Sequence, residues 1–217
     1  HQPDKILRRI LKPSQGPGRM DGKPRAFDSR PQAHRRGRSG ACQEMTLIDG
    51  LTVVQNCRRP NEPRWLGGLV DRHRSRDLVV KCAPGIDFDE VSRLGFRGEI
   101  EVTSLAGSVR EACLWSAGLA GNGVTRRATM LDTGEGVSDT DPDDCPVAPA
   151  GRWIVDPDGA VVRAGLVRHY AARHGLWQLD PEIAYLSGDR LPENVRGFEV
   201  LEELSFSERR LRQALSA

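Results

Sequence analysis

Apolar residues are unevenly spread along this chain, and their spacing divides it. Through residues 1–45 they are sparse. Ile6-Leu7 and Ile10-Leu11 could form a basic amphipathic helical turn or two. The rest of that stretch, with Ser14-Gln15-Gly16-Pro17-Gly18 and Pro31 to Arg38, has the composition of an unfolded arm. From Met45 onward the pattern changes. Leu47-Ile48 and Leu51-Thr52-Val53-Val54 predict a strand that ends at Gln55-Asn56-Cys57-Arg58-Arg59-Pro60. Pro63 to Val70 predicts a short helix with Trp65, Leu66 and Leu69 on one face. The run from Asp77 to Cys82 lacks clean alternation, as in a central parallel strand covered on both faces. Pro84-Gly85 stops it, and Asp87, Asp89 and Glu90 open a short helix. Strand, helix and strand in this order make a βαβ unit. Glu99 to Ser104, Val109 to Trp115 and Val124 to Leu131 read as further strands at a sheet edge with an antiparallel pair. The middle one is ambiguous by periodicity, with strand preferred.

The pattern then breaks. Residues 132–150 are rich in Gly, Pro and carboxylates, and six acids lie between Asp132 and Asp144. The order of these acids does not fit a calcium loop, since the sixth-place Gly and twelfth-place Glu are missing. An acidic linker between units 46–131 and 151–217 is expected. In the second unit, Trp153-Ile154-Val155 predicts a strand. Asp156-Pro157-Asp158 predicts a helix start with Asp156 as cap, and Gly175 its end. Val162, Leu166 and Tyr170 would pack this helix on a small sheet made from 153–155, 177–179, 183–187 and 198–204. Ser205-Phe206-Ser207-Glu208 fits a capping box before a last helix carrying Leu211 and Leu215.

Charge adds one asymmetry. Residues 1–40 carry +8, which leaves −6 for the remainder of a chain whose net charge is +2. A basic arm on an acidic body points to a nucleic-acid contact or to a solvated tail. The five cysteines have no CxxC spacing, and Cys82 and Cys113 lie in apolar runs. This favours buried thiols in a reducing cytoplasm over a disulfide framework. No apolar run nears the ~20 residues of a membrane helix.

Candidate chemistry concentrates at strand ends. HExxH, GxSxG and P-loop patterns are absent, and His169 and His174 stand five apart, which is not metal-pair spacing on a helix. In open α/β sheets ligands bind beyond the carboxyl ends of the strands. Lys81 and Asp87 flank such an end around Pro84-Gly85. Asn56, Arg58 and Arg59 follow another, where they could hold a phosphate or form a surface loop. Arg163, on the exposed side of the second unit's helix, could contact RNA.

Taken together, Arg58-Arg59, the run Asp77 to Asp87, and Ser108 to Trp115 resemble the second half of a class I S-adenosylmethionine-dependent methyltransferase. Arg152 to Val167, with Asp180-Pro181-Glu182-Ile183-Ala184-Tyr185-Leu186, resembles the THUMP-like domain that follows it in such proteins. The resemblance implies an α/β fold, with a partial Rossmann-like methyltransferase sheet followed by a small α+β THUMP-like domain. It implies S-adenosylmethionine as cofactor and RNA as the partner or substrate. Asn56 and Pro84 become candidate catalytic positions. Gln55, Lys81 and Asp87 become candidate cofactor contacts, and Arg58, Arg59 and Arg163 candidate nucleic-acid contacts; no metal site is expected.

Two departures qualify this. The family's strand ends Asp-Pro-Ala-Arg-Arg, where this chain has Gln55-Asn56-Cys57-Arg58-Arg59. The glycine-rich loop and ribose-binding acid of the family are not found in residues 1–50. The expectation is therefore a truncated chain that binds the cofactor weakly or not at all by itself. Its central strand edge and apolar faces would need a partner or the missing N-terminal half to cover them. The alternatives are a non-catalytic RNA-binding or interaction module and an inactive fragment.

Overall fold

The computed structural model describes residues 8–13, 43–46, 52–57, 64–72, 77–205 and 207–216. In chain order, strand β1 (Arg8–Pro13), β2 (Gln43–Thr46) and β3 (Thr52–Cys57) precede helix α1 (Arg64–Arg72). Then come β4 (Leu78–Cys82), α2 (Phe88–Arg93), β5 (Gly98–Leu105), β6 (Ser108–Ser116), β7 (Arg126–Met130) and β8 (Glu135–Ser138). The remainder is β9 (Trp153–Val155), α3 (Gly159–Ala164), α4 (Val167–His174), β10 (Trp177–Gln178), β11 (Leu186–Gly188), β12 (Gly197–Leu204) and α5 (Glu208–Leu215).

The strands form a seven-stranded sheet, ordered β2-β3-β4-β6-β5-β7-β8, and a five-stranded one, ordered β1-β12-β9-β11-β10. As the apolar spacing predicts, β3, α1 and β4 form a βαβ unit with parallel strands. The expected antiparallel pair is formed, but inside the sheet and not at its edge. β5 and β6 are a hairpin, and β6 inserts between β4 and β5, antiparallel to both. Its successive Ala112, Cys113 and Leu114 are all buried, which suits an interior strand. The turn that reverses the chain uses Ala106 at φ 52° and Gly107 at φ 73°, the positive pair favoured in two-residue hairpins.

Two expectations about exposure are corrected. First, the edge of β3 is paired with β2, antiparallel. Second, the sheet face turned away from α3 is mixed: it carries Lys81, Glu99, Glu101, Glu111, Arg127 and Thr129 beside Val79, Cys113 and Trp115, whereas the other face is apolar. Within the stretch read as an unfolded arm, Arg8–Pro13 is a strand antiparallel to β12, where a helical turn is the local expectation. An unpaired edge of β12 supplies hydrogen bonds that an isolated turn lacks.

The acidic stretch 132–150 is not a free linker. β8 lies within it and closes the seven-stranded sheet against β7. Asp139 accepts from the backbone N of Thr125 at 3.0 Å and from its hydroxyl. Asp141 accepts from Ser138 N at 2.7 Å and from the Arg173 guanidinium at 2.8 Å.

The single helix expected over 156–175 is two helices. Asp158, and not Asp156, caps α3, accepting from Ala160 N at 2.7 Å. Gly165 at φ 74° ends α3, and Gly175 at φ 63° ends α4 at the expected place. Leu166 and Tyr170 are buried as expected, but Val162 is 41% exposed. Instead Ala160, Val161 and Ala164 face inward, and α3 packs against β5 and β7 of the first sheet. One cluster of buried apolar residues therefore runs from Val54, Val80 and Val102 to Val155, Leu166 and Leu186. The two units share a core. At the end of the chain Ser207, not Ser205, is the cap of α5, without a side-chain bond, and α5 buries no residue among those described. No helix among the described residues is long and apolar enough to cross a membrane.

Candidate functional site at the strand ends

β3 and β4 run parallel and end together. Their register pairs Val54 with Val80 and Cys57 with Cys82, with an irregularity between. Gln55 and Asn56 fall in that irregular stretch, so the backbone brings them beside Lys81, Cys82 and the Ala83-Pro84-Gly85 turn. Open α/β sheets hold ligands beyond carboxyl ends of this kind. The side chains of Gln55, Asn56 and Cys57, and all of Arg58 and Arg59, lie outside the described residues.

The turn after β4 is held from the second unit. Arg163 Nε donates to the Pro84 carbonyl at 2.6 Å, and a second guanidinium nitrogen donates to the Ile86 carbonyl. The guanidinium carbon Cζ lies 3.9 Å from the centroid of the Phe88 ring, a cation–π contact. Arg126 lies over the same ring at 4.8 Å. Burial, then the nearby Arg126 charge, lowers the Arg163 pKa from its ordinary value. Arg163 thus does not point freely to solvent: two of its donors go to carbonyls and fix the turn that carries Pro84.

Asp87 also has a local task. Its Oδ1 accepts from Asp89 N at 2.9 Å and Glu90 N at 3.0 Å, capping α2. The Glu90 N–H, with that of Asp89 and the charges of Arg93 and Arg163, holds its carboxyl below the usual range against some desolvation. Lys81 points to the polar sheet face, where it pairs with Glu111, which raises its pKa. In register beside it, Cys113 is buried and its thiol is pushed up to about 12, by desolvation first and then Glu111. Farther along that face, Glu101 accepts from Trp115 Nε1 at 2.9 Å and Thr129 Oγ1 at 2.6 Å. Glu99, almost wholly buried, accepts from Gly121 N at 2.8 Å and from Arg127. These carboxylates are internally satisfied.

The crevice therefore unites Gln55, Asn56 and Pro84 by backbone position, while Lys81, Asp87 and Arg163 act on its supports. The fit to the implied cofactor is partial. Among the described residues no glycine-rich strand–loop–helix is present, and Asp87 Oδ1 is taken by a helix cap. Sequence reasoning missed the Arg163–Phe88 contact, for which no local signal exists. It could have found the Asp158 cap, because Asp-Pro-Asp offers two.

No protein-family model matches the chain. Two curated proteins from strains of Mycobacterium tuberculosis, each described as an uncharacterized S-adenosylmethionine-dependent methyltransferase, are 68% identical to it over 178 residues. The alignment covers 78% of this chain and 50% of each relative, so the chain spans about half the length of the curated relatives it matches. A crystal structure from Porphyromonas gingivalis, of a protein provisionally assigned as a methyltransferase, superimposes with a TM-score of 0.58 at 18% identity. It covers 77% of this chain and 47% of that one, a likeness of fold.

Proposed function

We propose that this chain carries the later strands of an S-adenosylmethionine-dependent methyltransferase whose acceptor is RNA. The observation that carries this reading is the 68% identity over 178 residues to proteins described as such methyltransferases. The fold likeness to the Porphyromonas structure supports it. When bound, S-adenosylmethionine supplies an electrophilic methyl group. This chain's share is positioning: the ends of β3 and β4, at Asn56 and Pro84, form one wall of the crevice, and Arg163 keeps that wall rigid. Rigid placement of the acceptor is itself a large part of such catalysis. Arg58 and Arg59, two and three residues along the chain from Asn56, suit the phosphates of an RNA acceptor. Residues 151–217 act as a THUMP-like unit that braces the sheet.

Alone, the chain binds the cofactor weakly or not at all, because the described crevice lacks a glycine-rich loop and a free ribose-binding acid. Calorimetry with S-adenosylmethionine should show micromolar binding to the full-length mycobacterial relative and little or none to this chain. The relative should also move radiolabelled methyl from S-adenosylmethionine to RNA. Label entering protein instead would overturn the RNA acceptor. Failure of the relative to bind the cofactor would overturn the methyltransferase reading. The replacement of Asp-Pro-Ala by Gln55-Asn56-Cys57 favours a second reading, a non-catalytic RNA-binding module. It predicts RNA binding without methyl transfer even when the other half of the sheet is supplied.

A further inference from the structure

A cleft of about 590 Å³ opens between the two sheets, away from the β3–β4 strand ends. Its walls are the β5–β6 turn, the β7–β8 turn, the β9–α3 loop and the loop before β12. Five carboxylates line it: Asp132, Glu135, Asp156, Asp158 and Glu193. Arg196 is the one cationic side chain of the lining, and it is a largely exposed residue 3.8 Å from Asp156. Asp158 is engaged in the α3 cap, and Glu135 lies 2.8 Å from His174 Nε2. Asp132 and Glu193 have no hydrogen-bond or ion-pair partner among the described residues.

A second feature is independent of the acids. Tyr170 lines the cleft although only 3% of its surface is exposed. Its ring packs against His174 at 4.3 Å between centroids, but its hydroxyl has no hydrogen-bond partner among the described residues. The hydroxyl is not among the fully buried polar atoms left without a partner, so it reaches open space. Here the open side of the group is the cleft.

We propose that this cleft binds a small organic cation of the polyamine type, with the carboxylates and the Tyr170 hydroxyl as acceptors for its N–H groups. The sign of the lining excludes phosphate and separates this site from any RNA contact. Among the described residues no three or more His, Cys, Asp or Glu side chains converge closely enough to form a metal cage by themselves. Carboxylates distributed along a cleft match a ligand whose charges are also distributed.

Spermidine is the probe. Calorimetry and thermal melting of this chain should show binding of one spermidine per chain and a higher melting temperature. Asp132→Asn with Glu193→Gln alters two exposed positions and should leave the fold intact. It should weaken binding about tenfold or more, as expected when charge-assisted bonds are lost. Tyr170→Phe should weaken it severalfold while leaving the melting temperature without spermidine unchanged. The proposal is overturned if spermidine gives no binding heat, or if the affinity survives both variants. It is equally overturned if magnesium chloride at matched ionic strength reproduces the stabilisation, or if Tyr170→Phe lowers the melting temperature and leaves the affinity as it was.

Discussion

Arg163 joins α3 to the turn after β4 by donating to the carbonyls of Pro84 and Ile86 and stacking on Phe88. Arg163→Ala leaves two carbonyls short of a donor and removes a cation–π contact. A loss of about 1–3 kcal/mol is expected by denaturant titration. Arg163→Lys should recover little of it, since an ammonium cannot donate as a planar fork while lying on a ring. Cys113 permits a test by pH. Its thiol ionises at about 12 in the folded chain, against an ordinary value of 9.0. Its contribution to stability is present below pH 9 and is lost as pH rises toward 12, where only the unfolded thiol gains by ionising. At pH 8.5 iodoacetamide should leave Cys113 unmodified in the native protein and label it in denaturant. Rapid native labelling would show the site to be open.

At the level of elements, the break between α3 and α4 sets what each helix does. Asp158→Ala should cost about 1 kcal/mol through the lost cap, and Asp156→Ala measurably less. Gly165→Ala meets no atom within 4 Å, so its expected cost of about 1 kcal/mol arises from the left-handed backbone alone. Leu166→Ala, at a site 1% exposed, should cost roughly 2–5 kcal/mol. Thermal melts of the four variants should preserve this ranking. An Asp156 variant less stable than the Asp158 one would return the cap to the position that the residue pattern first indicates.

For the molecule as a whole, the shared core makes one cooperative body of two sheets. Ala160, Val161 and Ala164 belong to the later unit and pack against the earlier sheet. Urea unfolding followed by fluorescence and by circular dichroism should give coincident single transitions. Residues 151–217 expressed alone should lack fixed tertiary structure, because the inner face of α3 would meet water. A dispersed amide spectrum from that fragment would contradict a shared core.

What the sequence by itself determined is local. Periodicity located the βαβ unit, the strands read at Glu99 to Ser104, Val109 to Trp115 and Val124 to Leu131, the stop at Gly175 and the buried places of Leu166 and Tyr170. It also placed Cys82 and Cys113 inside, and brought Asn56 and Pro84 to strand ends. These follow from short-range rules: alternation assigns a residue to a face, and Pro, Gly and Asp fix turns and caps. Only the tertiary structure decided what lies opposite each face. It set β6 between β4 and β5, drew 135–138 out of a seeming linker into the sheet, and turned Arg163 from solvent to the carbonyls of Pro84 and Ile86. Strand order and cross-unit contacts depend on pairings between distant residues, and no local pattern of side chains specifies its partner.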